Sequence, residues 1–355
     1  MIVYWMLFIV FAALAMFEGS RELLTRDRIG PTAVLAAIAL TLVIGYRYEV
    51  GGDWKNYLRI FTSIQYLSFS QLIQHGLDPG YGLLNVLSGW LGWGIIGVNV
   101  ASAALFSWGL LVFCRQQPRP LLALLVAIPY LVIVVAMGYT RQGTAIGLCM
   151  LGLAALARKS HLGFVGWIIL AATFHKTAMV LLPIAILAAT EKRAWTATWI
   201  GGTSLAMYLL VLGDSVDGLV TNYVQSQMQS QGAAIRVFIN AVPAVIFLLF
   251  RKRFPLRPAE RKLWVWMSIF ALGCVVFLFI SPSSTAVDRM ALYFMPLQLF
   301  VFSRLPDAFA TMNIGPWVAK VGIVSYYASV QFVWLNFATH AFAWLPYKFY
   351  PLQPF

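Results

Sequence analysis

The stretch GWIILAATFHKTAMVLLPIAIL, residues 166–187, is apolar from end to end except for His175 and Lys176 at its centre. If one helix runs through it, about 29 residues cross with His175 in mid-membrane, and every later loop changes side. The basic run RKRFPLRPAERK (251–262) would then lie outside. If two helices meet at Phe174-His175-Lys176, each spans roughly 20–23 Å against a hydrocarbon core of about 30 Å. Their apex sinks below the membrane surface, and irregular backbone at that depth is tolerated only where it lines a cavity. The positive-inside rule favours two short helices beneath a water-filled vestibule.

Around this stretch the chain is built for lipid. Its 355 residues are 61% hydrophobic and 10% charged, with a mean hydropathy of +0.80. This composition excludes a water-soluble globular protein and predicts an all-α polytopic membrane protein, residues 1–355 forming one helical transmembrane domain. Residues 1–17 are apolar with no basic flank before them, so a retained first helix is expected rather than a cleaved signal. The net charge of +13 suits basic cytoplasmic loops and gives no indication of nucleic-acid binding. Cys114, Cys149 and Cys274 fall one per apolar segment, as small core residues do.

Apolar runs predict about twelve spans, near 1–18, 31–46, 94–113, 120–138, 141–157, 162–174, 176–190, 194–212, 234–250, 263–280, 287–304 and 316–340. Residues 81–93 are too short to cross and read as a re-entrant or interfacial helix. Loops 20–30, 114–119, 158–161, 191–193, 251–262 and 304–315, with Lys320, hold most of the Lys and Arg and are assigned to the cytoplasm. The outer face then receives loop 47–80 with an interfacial helix, loop 213–233, and both termini.

On that outer face five basic side chains stand beside membrane segments: Arg47, Arg141, Lys176, Arg236 and Arg289. A charge costs about 2.5–3.5 kcal/mol at a membrane helix centre on insertion scales, so its recurrence at one interface points to an anionic substrate such as a lipid phosphate. Arg47 opens a segment in which Gly51-Gly52 permits a tight turn, and Asp53 is the expected N-cap of an amphipathic helix to Tyr66. Arg141, in a first helical turn where the dipole disfavours a cation, needs a partner: Asp53, Asp78, Asp288 or a bound phosphate. His175 beside Lys176 is a candidate general base or phosphate ligand. Asp288 and Arg289 are adjacent yet point about 100° apart on a helix, so they need not neutralise one another. Arg236 completes the set. No Walker loop, HExxH, GxSxG or dense carboxylate cluster is present, and neither cofactor nor metal is expected.

At these residues the chain resembles the EpsG family of exopolysaccharide polymerases, relatives in role of the Wzy O-antigen polymerases. The matching pieces are Arg47 followed by Gly52-Asp53-Trp54 and Tyr57; Asp78, Gly80 and Tyr81; Arg141; Phe174-His175 and Thr177; and Asp288-Arg289 with Tyr293-Phe294. Asp78 stands where Glu is expected in many members. The resemblance implies a glycosyltransferase C-like helical fold and a bacterial inner-membrane enzyme facing the periplasm. It implies as substrate an oligosaccharide carried on undecaprenyl pyrophosphate, and as partners membrane lipid and chain-length regulator and export proteins. Tyr57, Asp78, Asp288 and Tyr293 enter the expected site by this likeness.

The reaction expected is transfer of a glycan from polyprenyl pyrophosphate to a sugar hydroxyl of the next lipid-linked unit. Arg47, Arg141 and Arg289, with Arg236 and Lys176, are expected to clamp the departing pyrophosphate. His175 is the favoured base because imidazole titrates near the working pH, and Asp53 orients an arginine or the acceptor. A flippase or transporter of the same lipid and a membrane O-acyltransferase are the alternatives.

Overall fold

The computed structural model describes residues 1–20, 31–74, 76–188, 232–281 and 283–353, with Trp195, Thr198, Gly201, Gly202 and Leu205. The described residues are helical without a β-strand. The expected span 194–212 lies almost entirely, and the loop 213–233 all but its last two residues, outside them.

The chain opens with α1 (Ile2–Phe17) and α2 (Pro31–Gly45), followed by three short helices, α3 (Trp54–Ile64), α4 (Phe69–Gln74) and α5 (Pro79–Trp90). The long α6 (Gly94–Arg115) leads to α7 (Pro120–Ala127), which continues as a π-helix over Ile128–Ala136. Next come α8 (Thr140–Ala157), α9 (His161–Phe174), a 3₁₀ turn (Lys176–Val180) and α10 (Leu181–Ala188). The last part comprises α11 (Ala233–Phe250), α12 (Pro258–Ile280), α13 (Ser284–Ala291), α14 (Pro296–Ala310) and α15 (Pro316–Phe337).

Among the described residues four helices are long and apolar enough to cross a membrane: Gly94–Arg115, Ala233–Arg253, Pro258–Ile280 and Pro316–Phe337. Ile2–Phe17, Ala33–Gly45, Pro120–Ala136, His161–Ala172 and Lys176–Ala185 are apolar but shorter. At 166–187 the chain does break: His175 has extended backbone (φ −159°, ψ 111°) between α9 and the 3₁₀ turn. One expected span is corrected. Residues 287–304 do not form one helix but α13, a 3₁₀ turn at Leu292–Phe294 and α14, because Pro296 lacks the N–H needed to continue α13.

The centre of the molecule is the run Leu122–Ala154, in which every residue is buried except Tyr139 and Arg141. The apolar composition of α7 and the small residues of α8 allow close packing on all sides. The two exceptions, both half-buried, flank Thr140 at the start of α8.

The C-terminal residues form a strap that the hydropathy pattern did not reveal. Tyr48 N–H donates to Lys348 O (2.9 Å), Gly51 N–H to Ala343 O (2.8 Å) and Tyr350 N–H to Tyr46 O (2.8 Å). Gly51 takes a φ of +107°, the turn that brings Asp53 to the head of α3. Trp344, fully buried, donates its indole N–H to Ile133 O in the π-helix at 2.8 Å.

A separate charged network ties together the ends of α1, α7, α14 and α15. Arg119 grips Asp307 with both guanidinium nitrogens (2.6 and 2.7 Å). Glu18 accepts the N–H groups of Leu121 and Leu122 at the head of α7, and Lys320 donates to the carbonyls of Met16 and Glu18. These polar groups satisfy helix ends.

Candidate active site

Asp53 sits at the N-cap position of α3, but its carboxylate makes no capping bond. The expected N-cap position is met, without a side-chain capping bond. Burial raises its pKa above the usual carboxylate range, while the guanidinium groups of Arg289 and Arg141 pull it down. One aspartate from the first quarter of the chain thus lies within the field of arginines from α8 and α13.

Arg141, in the first turn of α8, binds Asp78 at 2.9 Å. Asp78 precedes α5, whose N-terminus offers unpaired N–H groups to an anion. Burial raises the Asp78 pKa, opposed by Arg141 and Lys176. Of the partners open to Arg141, the fold selects Asp78. The guanidinium also lies 5.9 Å from the centre of the Tyr81 ring, and Tyr81 packs against Tyr57 with ring centroids 5.8 Å apart.

His175, at the junction beyond α9, sits with its Nδ1 3.1 Å from the Tyr293 hydroxyl. Burial first, then the charges of Arg141 and Arg289, lower its pKa to about 3. The shift favours the neutral imidazole and runs against the expectation that His175 titrates near the working pH. Lys176 is half-buried next to it.

Arg289 stacks on the Tyr139 ring (4.6 Å to the centroid) and reaches Gln142 Oε1 at 3.3 Å, while Gln142 donates back to Arg289 O at 2.6 Å. Its neighbour Asp288 turns the other way and pairs with Arg236 at 2.6 Å. The 100° separation has let one residue face Arg236 and the other the cleft.

In this group Asp53, Arg141, His175, Lys176 and Arg289 are half-buried, and Tyr57, Asp78, Tyr81 and Tyr293 are buried. Two expectations change. Arg47 is 1% exposed and bonds to Ile44 O, Asn99 Oδ1 and Thr140 Oγ1, so it is not among the half-buried residues. Arg236 is paired with Asp288, so it is not an open member of a clamp. Tyr139, Gln142 and the strap residue Trp344 were not singled out from sequence. Tyr139 was legible as an aromatic two residues before Arg141, whereas nothing local marks Gln142 or Trp344.

No curated protein and no solved structure matches the chain. A cluster of basic and aromatic side chains assembled from the motifs around Arg141, His175 and Arg289 accords with the family match, which spans residues 32–349: the chain belongs to the EpsG family, the family of exopolysaccharide polymerases.

Proposed function

We propose that the cleft transfers a growing glycan from polyprenyl pyrophosphate, of the undecaprenyl type, to a hydroxyl of the next lipid-linked repeat unit. The observation that carries this reading is that the charges of Arg141 and Arg289, from α8 and α13, both act on Asp53 and on His175, with Arg141 paired to Asp78 and Arg289 set over Tyr139. Two guanidinium forks suit the oxygens of a diphosphate. A raised carboxylate suits deprotonation of a sugar hydroxyl.

In this mechanism the acceptor oxygen attacks the anomeric carbon and the bond from that carbon to the pyrophosphate oxygen breaks. The acceptor proton passes to Asp53, and the negative charge growing on the pyrophosphate is held by Arg141, Arg289 and Lys176. Neutral His175 contributes a hydrogen bond rather than a proton sink. Asp53 thus replaces His175 as the favoured base. The Arg236–Asp288 pair ties α11 to α13.

The setting we propose is a bacterial inner membrane, with the cleft facing the periplasm and about twelve crossings in a glycosyltransferase C-like arrangement, the shorter apolar helices included. Chain-length regulator and export proteins are its proposed partners, and the chemistry uses protein cations in place of a metal. Purified protein incubated with the native lipid-linked unit and a chelator is expected to yield a ladder of longer glycans. No ladder with or without divalent metal rejects the polymerase mechanism; a ladder only with metal rejects the metal-free chemistry.

A further inference from the structure

Arg47 is the fully buried cation of the outer half, and its contacts are unlike those of Arg141 and Arg289. Nη1 donates to Ile44 O at 2.6 Å, near the C-terminus of α2 where the helix dipole is negative. Nη2 donates to Asn99 Oδ1 in α6 at 3.1 Å and to Thr140 Oγ1 in α8 at 2.6 Å. Its Nε has no hydrogen-bond partner, and no carboxylate forms an ion pair with it among the described residues. Burying a charge without a counter-charge is costly, and the uncharged partners here offset only part of that cost.

Thr140 opens α8, and its two chain neighbours reach the cleft: Tyr139 beneath Arg289 and Arg141 to Asp78. Tyr57 and Tyr81 lie within the fields of both Arg47 and Arg141. A charge in this packed interior is screened far less than one in water, so it acts on an ion in the adjoining cleft without touching it.

We propose that Arg47 is a positioning residue behind the cleft: through Thr140 it fixes the turn carrying Tyr139 and Arg141, and its buried charge is offset when an anionic pyrophosphate fills the site. This rests on the pyrophosphate reading above, but replaces direct contact by Arg47 with action from behind.

The test measures binding of inorganic pyrophosphate to detergent-purified protein by calorimetry, alongside polymerisation kinetics for Arg47→Lys, Arg47→Gln and Thr140→Val. Arg47→Gln is expected to weaken pyrophosphate binding about tenfold, since the field is lost. Arg47→Lys is expected to keep affinity within about threefold, yet lower kcat because a point charge cannot hold Ile44, Asn99 and Thr140 together. Thr140→Val is expected to lower kcat with pyrophosphate affinity unchanged. Equal loss of affinity in Arg47→Lys and Arg47→Gln overturns the role of charge, and unchanged kcat in Thr140→Val overturns the route through Thr140.

Because charge-removing variants can fail to fold, the wild-type protein supplies an independent measurement. Treatment with phenylglyoxal and peptide mapping is expected to modify Arg141 and Arg289, with protection by pyrophosphate, and to leave Arg47 unmodified. A protectable adduct on Arg47 overturns the proposal. Absence of pyrophosphate binding by wild-type protein sinks the underlying functional reading, whereas wild-type binding with unchanged affinity in Arg47→Gln sinks this inference alone.

Discussion

Arg141 and Asp78 form an ion pair of 2.9 Å whose two ends differ in exposure, 28% for the arginine side chain and 9% for the aspartate. The aspartate anchors the pair at the head of α5, and the guanidinium keeps an open edge toward the cleft. Removing Arg141 is expected to cost two things at once: a donor to the leaving group and the counter-charge of a buried carboxylate. Arg141→Ala should lower kcat/KM by about 10²–10³, the range for a lost preorganised donor. Asp78→Asn keeps the arginine and loses only its anchor, so a smaller fall is expected. Polymerisation rates of the two variants decide the order, and a larger loss in Asp78→Asn contradicts it.

Asp53 makes no capping bond to α3, so Asp53→Asn should leave the fold unchanged while lowering kcat by about 10²–10⁴, the range for general-base loss. Its pH signature has a definite sign. The base works when ionised, so activity is present above its pKa and lost as pH falls through it. Burial raises that pKa, so the acid limb should lie above the ordinary aspartate value of about 3.9. An unchanged thermal melt with full activity in Asp53→Asn excludes Asp53 as the base.

His175 is held neutral, its pKa lowered to about 3. The wild-type pH profile should therefore show no inflection near the ordinary histidine value of about 6.5. His175→Gln, which keeps a neutral hydrogen-bonding group, should retain more activity than His175→Ala. Tyr293→Phe removes the hydroxyl at Nδ1 and should lower kcat through loss of ring orientation. A pH limb near 6.5 that disappears in His175→Gln returns the base role to His175.

Gly80 places α5 directly against the end of α9. A Cβ there would stand 2.4 Å from Thr173 Oγ1 and 3.1 Å from the Phe174 ring. Gly80→Ala should destabilise the protein by about 1–3 kcal/mol by overpacking and lower kcat by shifting Asp78 away from Arg141. Thr173→Ala in the same chain removes the nearer atom and should recover part of both losses. Melting temperature and polymerisation rate measure this; no recovery in the double variant argues for a different contact.

The residues that build the cleft were largely legible because each carries polar chemistry in a chain that is otherwise apolar. Asp53, Arg141, His175 and Arg289 stood out at helix starts and breaks, where a charge beside lipid needs a reason. Their protonation states were not legible. In the proposed mechanism Asp53 and His175 exchange their expected roles: burial raises the carboxylate and lowers the imidazole, while the arginine charges lower both, opposing burial at Asp53 and adding to it at His175. Arg47 misled for a different reason: residue type and membrane edge are identical for an exposed arginine and one folded inward.

Composition and charge pattern by themselves determined a helical membrane chain and its broken segment at His175. These follow from local rules: helix length against bilayer thickness, basic loops against the membrane's two faces, and the positions of proline and glycine. The tertiary structure alone decided which carboxylate meets which arginine, that Arg47 turns inward, and that a C-terminal strap holds the Tyr46–Gly51 turn. Those choices depend on contacts such as Arg141 with Asp78, 63 positions apart, and Gly51 with Ala343, far more distant still. No local periodicity encodes such a pairing, because the energy that selects it exists only once the helices have packed.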